Sequence, residues 1–362
     1  MSGARPSAAP LTQEAIAMPC PLDRRDVLAG LGAALTVPLL PTGAVAAAPL
    51  APLADADALT RRVLAFREML DPAQRRRAAF PWNGEQWRSW NYFGIGGYTK
   101  PGLRLEQMKP AEKDAAWGMF AEVLSPEGLD KARTVMALQD VLVEMGNGRG
   151  ARSSERFSIS IFGEPGPAGA WGLRLEGHHL SLSFAVVGGK LVSVTPAAFA
   201  ALPNRVLSGR RKGLVALKGE ETLARRLQRD LAPKLKARAQ AGDEHLFNIL
   251  SYAGEERANT RKTGVVAADM TEGQRELLWQ LVETYAVAPY TGALAQAQRR
   301  RLRAGDPAAV HFAWYGPNRS ERSFGYRITA DAFVVELGCV DGKAQHLHPV
   351  FHDLGNTLGR PA

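Results

Sequence analysis

Apolar and small or polar residues alternate at Trp171, Leu173 and Leu175, and again at Leu180, Leu182 and Phe184, with the parity reversed between the two runs. Period-two alternation marks a half-buried strand. A parity reversal inside one strand predicts a bulge or bend over residues 176–179, a device that re-aims side chains. The whole stretch 171–196, WGLRLEGHHLSLSFAVVGGKLVSVTP, recurs without a gap as 324–349, FGYRITADAFVVELGCVDGKAQHLHP, 153 positions later. Gly172, Arg174, Val187, Gly189, Lys190 and Pro196 have identical counterparts in Gly325, Arg327, Val340, Gly342, Lys343 and Pro349. Gly188-Gly189 and Asp341-Gly342 read as two-residue hairpin turns, because Gly and Asp tolerate positive φ.

The repetition extends upstream into amphipathic helical patterns. ALTRRV at 58–63 resembles TLARRL at 222–227, and the helices carrying Trp117 and Trp279 begin near Lys109-Pro110 and Thr271. Thr271 and Gln274 have capping-box spacing. Ser125-Pro126 opens a further helix, whose counterpart spans 289–301. The pattern predicts an α+β fold: an internally duplicated unit of helices followed by a three-stranded antiparallel meander, related by a pseudo-twofold axis. The expected strands are 157–162, 171–184 and 190–195, then 310–315, 324–337 and 343–349. The first repeat would occupy residues 55–200 and the second 201–362, forming one body.

Residues 1–48 read differently. Arg24-Arg25 precedes a modest Gly/Ala/Leu run that ends in small residues near Ala46. This is the pattern of a twin-arginine secretory signal, which implies passage through the twin-arginine translocase to the periplasm or exterior. The run is too weakly apolar for a membrane anchor, so no stable membrane insertion is expected. Only Cys339 follows the signal, which leaves stability to an apolar core. The net charge is +9, with basic runs at 205–212, 225–238 and 299–303. These lack the interleaved aromatics of a nucleic-acid groove, so they read as solvated helix faces that can attract anionic small molecules.

SIFGEPGPAGAWGLRLEGHHLSLSF, VVGGKLVSVTP, AADMTEGQRELL and the closing HLHPVFHDLGNTLG resemble the bacterial family known as domain of unknown function 3500. The resemblance covers about residues 55–360, and EGHHLSLSF is its most specific part. It departs within VVELGCVDGKAQHLH, where the family commonly has an aromatic-rich strand followed by an Asn-rich turn before its H-x-H. It implies export and a duplicated fold, and it carries no reaction or ligand.

Six of seven histidines lie in or just after the strand-rich stretches: His178, His179, His311, His346, His348 and His352. A two-residue turn at Asp341-Gly342 would pair Val340 with Lys343, so Leu337 would face His346 and Val335 would face His348. Residues two apart on a strand share a face, which lets two imidazoles reach one metal ion. The first copy has Ser193 and Thr195 there, but holds Glu176, His178 and His179 where the second has Thr329, Asp331 and Ala332. If the bend of one copy meets the H-x-H of the other, His178, His179, His346 and His348 are candidate metal ligands. Glu176 is then the candidate catalytic carboxylate, and Glu176, Asp331 or Asp353 would orient the imidazoles. The ion would be divalent, with zinc first and copper or iron also suited to imidazole. These residues point to a metal-dependent hydrolase for a small-molecule or anionic substrate; a copper or iron oxidoreductase uses the same ligands. A non-catalytic periplasmic ligand-binding protein is the other reading. Arg174 and Arg327 are expected to be structural. The aromatics Trp82, Trp87, Trp90, Tyr92 and Phe93 are expected either to plug an irregular segment or to form a lid or sugar-stacking platform.

Overall fold

The computed structural model describes residues 52–93, 100–147, 152–255, 261–319 and 321–360. The expected signal lies outside the described residues. In chain order, β1 (Ala54–Asp55), α1 (Asp57–Met69), α2 (Pro72–Ala78), β2 (Ala79–Phe80), α3 (Glu85–Arg88) and β3 (Leu103–Arg104) lead to α4 (Pro110–Phe120) and α5 (Pro126–Glu144). The strands β4 (Ser158–Phe162), β5 (Ala170–Gly177), β6 (Leu180–Val187), β7 (Lys190–Ser193) and β8 (Ala197–Phe199) follow. Next come α6 (Lys218–Asp230), α7 (Pro233–Ala239), β9 (Gln240–Gly242), β10 (Val265–Val266), α8 (Glu272–Ala286) and α9 (Gly292–Leu302). The chain closes with β11 (His311–Tyr315), β12 (Gly325–Thr329), β13 (Phe333–Cys339) and β14 (Leu347–Asp353). Local signals set the helix starts. Ser125 Oγ accepts from Gly128 N at 3.0 Å to cap α5, and Thr271 with Gln274 closes a capping box on α8.

The strands form one mixed sheet whose main path runs β10-β11-β12-β13-β14-β8-β6-β5-β4-β2, so the architecture is α+β. At one end β4 pairs antiparallel with β3 and β5 and parallel with β2. At the other, β11 pairs antiparallel with β10 and β12 and parallel with β9. In the middle β8 pairs with both β6 and β14, so both halves of the chain contribute to a continuous sheet.

Two expectations give way to this topology. The stretch 171–184 is not one bent strand but two, β5 and β6, joined at His178-His179. Gly177 faces Leu180, Leu175 faces Leu182 and Leu173 faces Phe184. Partners across a two-residue turn have opposite parity, so the reversed alternation is the chain turning back. Residues 324–337 divide likewise into β12 and β13. Each half therefore carries a four-stranded antiparallel run, β4–β7 and β11–β14, rather than a three-stranded meander.

The second correction concerns register. Gly188 and Gly189 do form the expected tight turn, with φ of 56° and 71° and Val187 facing Lys190. Asp341-Gly342 does not. Val340 N donates to His346 O, and residues 341–345 make a longer loop tied by Asp341 Oδ1, which accepts from Lys343 N and Gln345 N. Gly338, not Val335, consequently faces His348, and Pro349 sits inside β14 opposite Leu337.

One sheet face packs on the helices, where Leu173, Leu175, Leu182 and Phe184 join Phe120 and Leu278 in the main core. The other face carries a second core of Trp87, Trp90, Tyr92, Ile249, Val350 and Leu358, contributed largely by irregular segments. Irregular backbone brings N–H and C=O groups that need partners when buried. Polar side chains of the sheet supply them. Arg174 donates to Gln86 O at 2.8 Å and Trp87 O at 2.5 Å, and Glu176 accepts from Asn91 N at 2.8 Å. Glu336 accepts from Leu250 N at 2.9 Å and Ser251 N at 3.0 Å, and is paired with Arg327 at 2.6 Å. Arg174 and Arg327 thus hold backbone and carboxylate groups.

Candidate metal centre

The β5–β6 turn, the end of β8 and the start of β14 meet at the seam between the halves. His179 occupies the second turn position with φ 70°, a left-handed conformation that is uncommon outside Gly and is worth a functional reason. Its backbone is clamped: His179 N donates to Tyr92 O at 2.7 Å, and its carbonyl accepts from Ala200 N at 2.7 Å. One residue on, Ala201 and Leu347 exchange two backbone bonds of 2.9 Å, which brings His346 and His348 alongside.

Three imidazoles converge there through the same ring atom. Nε2 of His179 lies 3.1 Å from Nε2 of His346 and 3.2 Å from that of His348, and the last two are 3.0 Å apart. With metal–nitrogen bonds of 2.0–2.1 Å, such separations correspond to angles of about 100° at a shared ion. That value suits three ligands on one side of an ion, with further positions open. The three residues form a cluster that can hold a metal ion.

Hydrogen bonding fixes the form of His348. Asn248 Oδ1 accepts from Ile249 N at 2.9 Å and from Tyr92 OH at 2.9 Å, and lies 3.0 Å from His348 Nδ1. The backbone N–H can only donate, so the amide presents its oxygen and His348 Nδ1 carries the proton. Nε2 of His348 is then a lone pair aimed into the cluster, the tautomer a metal ligand requires. Burial holds the imidazoles neutral. It pushes His346 down to about 4, and it drives His179 and His348 well below the ordinary 6.5. Nδ1 of His179 is buried without a hydrogen-bond partner among the described residues.

Of the expected site residues, His178 and Glu176 stand outside this cluster. The His178 ring stacks on His179 with centroids 3.7 Å apart, and its Nδ1 lies 2.7 Å from Gln139 Oε1 and 2.6 Å from Arg152 Nη1. Burial lowers its pKa to about 3. Glu176 accepts from Asn91 N and Ser181 Oγ and lies 3.8 Å from Lys100 Nζ, whose pKa burial brings down to about 8. Asp331 and Asp353 do not orient the imidazoles; they pair with Lys262 at 2.7 Å and Arg301 at 2.8 Å. His352 is buried in β14, with Nε2 3.0 Å from Ser251 O.

The aromatic segment plugs irregular chain, as the first of its two expected roles has it. Trp87, Trp90 and Tyr92 are buried core. The Tyr92 and Phe93 rings also stand against His348, at 5.0 and 6.2 Å, and Phe93 stacks on Tyr252. Asn248, Gln139 and Arg152 were not legible as site residues. Asn248 gives the one usable signal, a lone amide in the apolar run Leu246-Phe247-Asn248-Ile249-Leu250.

Residues 53–359 match the family described as protein of unknown function (DUF3500). The chain belongs to the DUF3500 family. No curated protein and no solved structure matches it. In this DUF3500 chain, EGHHLSLSF carries His179 and HLHPVFHDLGNTLG carries His346 and His348, so all three converging imidazoles fall in stretches that bear the family resemblance.

Proposed function

We propose that this DUF3500 protein is an exported, metal-dependent hydrolase of small anionic substrates, with His179, His346 and His348 as ligands of a divalent ion, zinc first. The observation that carries the reading is the convergence of three Nε2 atoms within 3.0–3.2 Å, together with the tautomer that Asn248 imposes on His348. When bound, the ion would supply a Lewis acid and a water of lowered pKa. The protein supplies the rest. Neutral imidazoles leave the ion's charge uncompensated, which favours anionic ligands at the open positions. Arg152, half-buried and with no carboxylate partner among the described residues, adds positive charge beside His178. Tyr92 and Phe93 shield the His348 side from water. Glu176 acts by positioning: it holds Asn91 N, next to the Tyr92 carbonyl that takes the His179 N–H.

The matched pairing at the two ends of the sheet supports an origin by duplication, with repeats at 55–200 and 201–362 and the site between them. Passage through the twin-arginine translocase and a periplasmic or secreted location rest on the Arg24-Arg25 pattern. A second reading, a copper or iron oxidoreductase, is favoured by one observation: the oxidisable rings of Trp90 and Tyr92 lie 6.4 Å apart and lead to His348.

Reconstituting metal-free protein separately with zinc, copper and iron separates these. Zinc should restore hydrolysis of a panel of anionic esters, and His348→Ala should abolish it. Oxygen-dependent turnover restricted to copper or iron would replace the hydrolase reading with the redox one. Ligand binding without turnover under any metal would make the protein a binding module.

A further inference from the structure

A cavity of about 860 Å³ opens in the second half of the chain, lined by one side of α6 from Lys218 to Arg229, by residues 204–207 and by the 342–345 loop. Arg205, Lys218, Arg229, Arg322 and Lys343 line it with exposed side chains. None of these five makes an ion pair with a carboxylate among the described residues. Arg225 is also in the wall, but its guanidinium is occupied. It bonds Glu221 at 2.9 Å and the carbonyls of Arg319 and Arg322 at 3.0 and 2.9 Å, and it lies over the Phe324 ring at 4.0 Å. Glu221 is thereby neutralised, which leaves Glu321 as the opposing charge among the lining residues.

The wall is braced before any ligand arrives. Asn204 N donates to Gln345 O at 2.7 Å, Arg205 N to Gln345 Oε1 at 3.0 Å, and Leu217 N to Asn204 Oδ1 at 2.9 Å. Like charges gathered in a concavity repel, and a multiply charged anion relieves that repulsion. The volume lies within the range of small-molecule sites.

We infer that this cavity binds a small ligand carrying two or more phosphate groups, at a site separate from the histidine cluster. Phosphate is favoured because each ester group brings nearly two charges, which matches five cations that have no carboxylate partner among the described residues.

Calorimetric titration of the full chain with inorganic pyrophosphate at low salt tests this. One-to-one binding is expected, weakening steeply as sodium chloride is raised. The double variant Arg205→Gln/Lys343→Gln should lose affinity by about a hundredfold, since hydrogen bonds to charged groups are each worth about one factor of ten. His348→Ala should bind pyrophosphate like the parent. That control separates this site from the metal centre, because phosphate can also ligate an ion. Circular dichroism would establish that both variants keep the fold. Binding that vanishes in His348→Ala but survives in the double variant would overturn the inference, as would the absence of saturable binding to the parent. Neither result would count against the metal reading.

Discussion

Asn248 Oδ1 accepts from a backbone N–H, a phenol and an imidazole, and this decides which nitrogen of His348 is free. Removing the amide removes that decision. Asn248→Ala should weaken metal affinity by about 10–100-fold, as measured by competition with a chromophoric chelator. Unchanged affinity would show that the tautomer is set elsewhere. Burial has a second consequence at this scale. His178 and His346 titrate near 3 and near 4 in the fold, against 6.5 for an exposed imidazole. Between about pH 6.5 and about pH 4 the unfolded chain therefore binds more protons than the folded one, so stability falls as pH is lowered through that window. The thermal midpoint of metal-free protein should drop over this range, and drop less steeply in His178→Phe. A midpoint independent of pH there would contradict the burial. The H-x-H pair was legible in the sequence, because residues two apart on a strand must share a face. Asn248 and Arg152 were not, since a lone polar residue in an irregular stretch has no period to betray it.

The β5–β6 hairpin is where sequence reading came closest and still erred. Reversed parity was visible at Leu175 and Leu180, but a bulge and a two-residue turn both reverse it; only the pairing of Gly177 with Leu180 tells them apart. Histidine at a positive-φ turn position also disguised the turn, which Gly or Asn would have announced. The register of β14 was misjudged because Asp341-Gly342 has the composition of a tight turn, while Asp341 in fact ties down a longer loop. That error hid Gly338. A Cβ at Gly338 would sit 2.6 Å from the Asn248 Cα and 2.7 Å from its carbonyl carbon, main-chain atoms that cannot swing aside. Gly338 also faces His348, so this close approach is what lets Asn248 reach the ring. Gly338→Ala should destabilise the fold by about 1–3 kcal/mol in chemical denaturation and weaken metal binding as well. Loss of stability with unchanged metal affinity would separate the packing from the site.

Across the whole molecule, one sheet is covered by helices on one face and by irregular chain on the other, and the histidine cluster lies where the two halves of the sheet join. The 153-residue offset anticipated paired strands at both ends, but not that β8 and β14 would join them, because strand partners that distant leave no local pattern. Among the described residues no helix is long and apolar enough to cross a membrane. Export through the twin-arginine route predicts that Arg24→Lys/Arg25→Lys blocks translocation of a reporter fused to residues 1–48; secretion of that variant by the unfolded-chain route would refute it. The central claim is the shared metal centre. Its most direct measurement is X-ray absorption on protein purified after native export, paired with elemental analysis. The account predicts about one ion per chain with three imidazole nitrogens at about 2.0–2.1 Å, lost in His346→Ala and His348→Ala. A chain that carries no ion, or whose ion and nitrogen shell survive both substitutions, would contradict it.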